Sequence, residues 1–195
     1  MQLKNHNFTV ADVRKVHELG FQIVRKGMYW DKAEQQRGVY DFSPYVDFIN
    51  EADSLEMTIV VALFGGNPHY ENDGGIQTKA GREGFARFAA AAAERFRDKN
   101  VIWEIWNEPN VRTFWHKNGM HNSKPFAEEY SALVNHVVPA MLAADSKCFV
   151  LAGSVSNYWE PSYQWTEYCF QQEILKSGIR GWSVHPYGVK TPEEF

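Results

Sequence analysis

Apolar positions fall into two kinds of run. Short, nearly continuous stretches at 21–28, 58–64, 101–106, 148–153 and 182–185 have strand length, and runs such as TIVVALF lack polar alternation, as expected of strands covered on both faces. Between them, apolar residues recur at helical spacing. Val13, Val16 and Leu19 share one face of 11–19, which stops at Gly20, and Val46, Phe48 and Ile49 cluster within 45–55. Phe85, Phe88, Ala92 and Phe96 mark a helix over 82–96, supported by an alanine run. Pro125 opens a fourth helix through Tyr130, Leu133, Val134 and Val137, with Pro139 expected to bend or interrupt it, and a fifth covers 162–176 before Gly178. Strand and helix alternate, which predicts an α/β protein with a parallel sheet.

No low-complexity linker, charge block or short repeat divides the chain, so residues 1–195 are expected to form a single domain. A closed (β/α)₈ barrel typically takes about 250 residues. Five strand candidates point either to an open sheet or to part of a barrel.

With 44% hydrophobic and 15% aromatic residues, general disorder is excluded. Twenty Lys and Arg against 24 Asp and Glu give a net charge of −4, which speaks against a broad nucleic-acid or anionic-membrane footprint and favours a neutral small molecule or polymer as partner. Seven Trp, nine Tyr and thirteen Phe offer flat faces for stacking. No window reaches the roughly 18 apolar residues of a membrane-spanning helix, and MQLKNHNFTV lacks the pattern of a signal peptide. Cys148 and Cys169 are too few for a disulfide scaffold; free thiols are expected, with one bridge between them as the alternative. His116 and His121 lie five apart in a Gly-containing loop, His69 and His185 follow different strands, and neither HExxH nor a phosphate-loop spacing occurs, so no metal and no cofactor is expected.

The segment VIWEIWNEPN, residues 101–110, carries the chemistry. An apolar strand ends in Asn107, Glu108 and Pro109, and in parallel α/β folds ligands and chemistry gather at the C-terminal strand ends. A Glu108 carboxyl enclosed by Trp103 or Trp106 would be desolvated and kept protonated near neutral pH, a candidate general acid. Strict alternation sends Asn107 and Glu108 to opposite faces, so both reach one pocket only if the strand ends or bulges there. Glu104 shares the parity of Glu108 but lies roughly 13 Å further down the strand. It reads as a structural carboxylate in need of a buried partner, for which Arg25 is one candidate.

WEIWNEPN resembles the fourth-strand motif of the clan A glycoside hydrolases, retaining TIM-barrel enzymes, and is nearest in character to families 39 and 5. The resemblance implies that Glu108 is the general acid/base and that Asn107 hydrogen-bonds the sugar hydroxyl beside the reacting carbon. FQIVRKGMYWDKAEQQRGVYDFSPYVDFI is similar to the second strand with its loop and helix, where Arg25 would support the nucleophile, and TIVVALFGGNPHY resembles the third strand. WSVHPYG resembles the sixth, where His185 would touch substrate and Tyr187 would hydrogen-bond the nucleophile. Trp30 and Trp159 are candidate sugar-stacking platforms.

By this likeness the chain is an incomplete (β/α)₈ barrel, about strands two to six, without the seventh and eighth. The resemblance implies a second carboxylate at the end of the seventh strand, about 5–5.5 Å from the first. The chain ends at TPEEF, ten residues past His185, with Glu193 and Glu194 too early for that role, so no nucleophile is expected within it. The implied function is retaining hydrolysis of β-linked oligo- or polysaccharides, with this piece inactive alone and its open sheet edges inviting self-association. Extracellular or periplasmic action would follow from the superfamily. Two rivals stand beside it: a non-catalytic carbohydrate-binding or interaction module, and a metal-dependent barrel enzyme.

Overall fold

The computed structural model describes residues 9–71, 74–116, 118–156 and 160–187. In chain order it comprises α1 (Val10–Glu18), β1 (Ile23–Tyr29), α2 (Trp30–Ala33), α3 (Ser43–Ser54), β2 (Thr58–Phe64), α4 (Lys79–Arg95) and β3 (Val101–Ile105). There follow α5 (Lys124–Ala144), β4 (Phe149–Ser156), α6 (Glu160–Gln171), a 3₁₀ turn (Ile174–Ser177) and β5 (Gly181–His185). The strands form one parallel sheet in the order β1-β2-β3-β4-β5. Each strand is therefore followed by its own spatial neighbour, the winding of a barrel rather than of a doubly wound sheet, whose strand order reverses at a switch point.

Register and alternation divide every strand between two faces. Val24 and Met28, Ile59, Val61 and Leu63, Val101, Trp103 and Ile105, and Val150 and Ala152 are buried toward the helices. Trp103 meets Phe96 just past α4, and Trp182 packs edge-on against Phe170 of α6. The opposite face carries Arg25, Glu104, Ser183 and His185 among half-buried Val60, Ile102 and Leu151.

The helices start where local chemistry favours it. The Thr78 hydroxyl accepts from the Gly81 amide at the start of α4, and α5 opens with Ser123 accepting from Phe126 N and with Pro125 in its first turn. Pro139 does not interrupt α5, which runs on to Ala144; its missing N–H lies on an exposed side of the helix. The fifth predicted helix ends at Gln171 and is followed by the separate 3₁₀ turn. β3 ends one residue before Trp106, and β4 continues three residues beyond Gly153. Among the described residues no helix is long and apolar enough to cross a membrane. Cys148 and Cys169 are free and buried; burial pushes the Cys148 thiol up to about 11 and raises Cys169 further.

Candidate active site at the strand ends

β3 closes with two turns in its backbone. Trp106 has φ 71° and Glu108 φ 50°, left-handed values that cost a non-glycine residue roughly 1–3 kcal/mol each. They break the alternation, and this is how two consecutive side chains, Asn107 and Glu108, join one network. The strained stretch is tied down on both sides. Trp106 N continues the ladder to Leu63 O at 2.9 Å, and Glu108 N donates to Ser154 O of β4 at 3.1 Å.

Glu108 is 7% exposed, and its Oε1 lies 2.7 Å from His185 Nδ1. Tyr187, two residues on, places its hydroxyl 3.5 Å from the same nitrogen. Partial burial and the Glu108 carboxylate, which also hydrogen-bonds the phenol, hold Tyr187 above its ordinary pKa, against a smaller opposing effect of Arg25. On the other side, Asn107 Oδ1 accepts from Arg25 Nη2 at 2.9 Å. The Arg25 guanidinium is salt-bridged to Glu104, with Nε to Oε2 at 2.8 Å, and Glu104 Oε1 accepts from Ser183 Oγ at 2.8 Å. Glu104 thus has the partner its position demanded, in the half-buried guanidinium of Arg25. Arg25 serves as that partner and as the clamp on Asn107.

Two features depart from the sequence reading. Trp103 and Trp106 do not enclose Glu108. Trp103 faces the helices, and Trp106 sits in an aromatic cluster with Phe64, Phe85 and Trp115, its Nε1 donating to Phe114 O. Trp30 is not a stacking platform: it is fully buried, with Tyr70 and Phe88 stacked on it, and its Nε1 donates to Glu34 Oε2. A ring so covered has no face to offer a sugar. Trp159 lies outside the described residues.

Two residues of this region escaped the sequence reading. Asn110, 1% exposed, accepts from Ser156 N at 2.9 Å and donates to Ser156 O at 3.0 Å, so its amide acts as one more strand residue beside β4. It also donates to Asn122 Oδ1, which fastens the loop before α5. Ser154 touches both Arg25 and His185. The available signal was the Gly-Ser pair in the otherwise apolar run VLAGSVS, since a glycine inside a strand marks a bulge. The bulge is there: Ala152 pairs with Trp182 and Val155 with Val184, one residue more on β4 than on β5.

The arrangement can exchange a proton at Glu108 while Arg25 and Asn107 present polar groups beside it. Among the described residues no three His, Cys, Asp or Glu side chains gather as metal ligands.

A family model, Cellulase (glycosyl hydrolase family 5), matches residues 4–191. Among solved structures, a family 39 glycoside hydrolase from Bacteroides cellulosilyticus superposes with a TM-score of 0.69 at 20% identity, covering 94% of this chain and 36% of the other. A GH39 β-xylosidase from Caulobacter crescentus gives 0.69 at 17% identity over 98% and 46%. A GH5-4 broad-specificity endoglucanase from Ruminococcus champanellensis, solved with cellotriose, gives 0.64 at 16% identity over 93% and 54%. Likeness at these identities speaks for the fold: the five strands are part of a (β/α)₈ barrel. The chain spans between about a third and just over half of the length of these proteins. A sequence search of curated proteins returns no match.

Proposed function

Because the chain belongs to the cellulase family, glycosyl hydrolase family 5, we propose that it supplies the acid/base side of a glycosidase site cleaving β-linked oligo- or polysaccharides with retention. The observation that carries this reading is Glu108, buried at the C-terminal end of β3 and held 2.7 Å from His185 beside the clamped amide of Asn107. In the first step Glu108 gives its proton to the glycosidic oxygen as the C–O bond breaks and an attacking carboxylate bonds the anomeric carbon. In the second, the Glu108 carboxylate takes a proton from water as that water displaces the enzyme-bound sugar. Asn107, its carbonyl oxygen fixed by Arg25, turns its amide N–H₂ to a sugar hydroxyl. His185 and Tyr187 line the same opening.

Glu104 is not the attacking group, since both of its oxygens are engaged, by Arg25 and Ser183, and it is 3% exposed. Glu193 and Glu194 lie outside the described residues. On this reading the 195 residues alone hydrolyse negligibly. Neutral recognition by stacking and hydrogen bonds suits the small net charge of −4.

The test is Glu108→Gln in the full-length protein. Sugar binding persists, while turnover falls by about 10²–10⁴-fold on substrates with poor leaving groups and much less on activated aryl glycosides. Equal turnover on both substrate types by wild type and variant refutes the assignment. Robust hydrolysis by the purified 195-residue monomer refutes the need for a further carboxylate.

A further inference from the structure

The polar chain that reaches Glu108 does not end at His185. Ser154, with φ 51° at the β4 bulge, places its Oγ 3.2 Å from His185 Nε2 and 3.3 Å from Arg25 Nη2. A guanidinium only donates, so the hydroxyl accepts from Arg25, and of these two neighbours only the imidazole can receive the serine proton. An Nε2 that accepts carries no hydrogen. The neutral ring then keeps its proton on Nδ1, which faces Glu108 Oε1 at 2.7 Å.

We infer that Ser154 is a positioning residue: through its contacts with Arg25 Nη2 and His185 Nε2 it fixes His185 as the Nδ1–H tautomer, so that Glu108 Oε1 stays occupied as an acceptor and the proton exchanged with substrate is carried on Oε2. The role of Glu108 itself is taken from the functional reading above. When the glycosidic bond breaks, the Oε2 proton passes to the leaving oxygen; when water attacks, Oε2 receives the proton that water loses. Through both steps the Nδ1–H···Oε1 bond is unbroken. Among the described residues, the ring nitrogens face Glu108 from the end of β3, Ser154 of β4 and Tyr187 past β5, and Ser154 links the ring to Arg25 of β1, which is paired with Glu104.

Ser154 is itself held in place. Its amide donates to Ser183 Oγ at 2.8 Å, its carbonyl accepts from Glu108 N at 3.1 Å, and Ser183 Oγ also donates to Glu104 Oε1. The backbone before it has little room to move: Gly153 has φ 99°, and a Cβ there would lie 2.6 Å from Ser183 O and 2.9 Å from the Trp182 ring. The hydroxyl therefore reports its geometry to both Glu104–Arg25 and His185–Glu108.

The experiment is ¹⁵N NMR of the imidazole of His185 in the chain, assigned by loss of its signals in His185→Gln, for wild type, Ser154→Ala and Ser154→Gly. Glycine suits a positive φ, so the second variant removes the hydroxyl while relieving backbone strain. In wild type at neutral pH, Nδ1 is protonated and Nε2 shows the shift of a bare nitrogen. In both variants Nε2 gains proton occupancy. In the full-length protein kcat falls by about tenfold or more with KM little changed, the scale of a misplaced catalytic group. An Nε2–H tautomer in wild type overturns the inference, as does an unchanged ¹⁵N pattern in either variant once circular dichroism shows it folded. If the tautomer behaves as stated but Glu108→Gln turns over normally, the acid/base reading fails and the tautomer assignment stands.

Discussion

Along β3, Trp103 and Ile105 turn toward the helices and Glu104 turns away from them, and the same division runs through the neighbouring strands. On the helix side most residues are apolar and almost wholly buried, from Val24 and Met28 through Ile59, Val61 and Leu63 to Val150 and Ala152, with half-buried Lys26 laying its ammonium over the Phe48 ring of α3. On the other side Arg25, Glu104, Ser183 and His185 are joined by hydrogen bonds, and Ser154 enters the same network at the bulge. The first face derives its stability from area removed from water, at roughly 25 cal/mol per Å². The second gains little from burial, because enclosing charges costs about what their pairing returns. What it gains is a fixed geometry. The two faces should therefore answer differently to substitution.

The sharpest contrast lies between Trp103 and the ion pair that its neighbour in sequence, Glu104, makes with Arg25. Trp103→Ala is expected to lower stability by about 3–5 kcal/mol in denaturant melts. No second substitution on the opposite face should restore it. Arg25→Ala should cost about 2–3 kcal/mol, less than a fully enclosed pair, because Glu104 is left buried without its cation while water retains some access. Replacing Arg25 and Glu104 together by Met and Leu should recover most of that stability while turnover of the full-length protein stays low. Recovery of activity along with stability would show that the polar face is structural only.

Gly153 tests the seam between the faces. Gly153→Ala pushes a methyl against Ser183 O and the Trp182 ring at a φ of 99°, so about 1–3 kcal/mol of destabilisation is expected, together with loss of the Ser154–His185 contact. Unchanged stability and an unchanged imidazole spectrum would mean that the bulge is not rigid.

The smallest effect at neutral pH, and the one specific to the helix side, is alkaline. Burial raises Cys148 to about 11, Tyr40 to about 12 and Tyr45 and Tyr130 above their ordinary values. A raised folded-state pKa means that the native protein holds its proton longer than the unfolded chain does. The contribution is thus complete below the ordinary thiol value of 9.0 and is lost as pH climbs through about 11. Denaturant midpoints should fall steadily over that window, and Cys148→Ala should flatten the fall. A midpoint that rises there would contradict the sign.

Much of this was legible in one dimension. The strand at Thr58–Phe64 matches its apolar run residue for residue, because outward positions are buried under helices and inward ones are partly covered, leaving no polar alternation to blur it. Glu108, Asn107, Arg25, His185 and Tyr187 were visible as polar residues in or just past apolar strands, and the structure brings all five into contact through one network. Trp30 was misjudged because its covering rings, Tyr70 and Phe88, come from residues 40 and 58 positions away. Asn110 and Ser154 were missed for a related reason: their partners are 46 and 31 residues distant, and no local pattern encodes a side-chain amide that mimics a strand or a hydroxyl that completes a relay.

The sequence alone determined the alternation of strand and helix, the parallel sheet and the carboxylate at the end of β3, since periodicity and strand-end chemistry act within a few residues. Tertiary structure decided which side chains meet. The left-handed turns at Trp106, Glu108 and Ser154 are tolerated only because distant hydrogen bonds hold them, and it is those turns, rather than the strands, that bring Glu108 to His185.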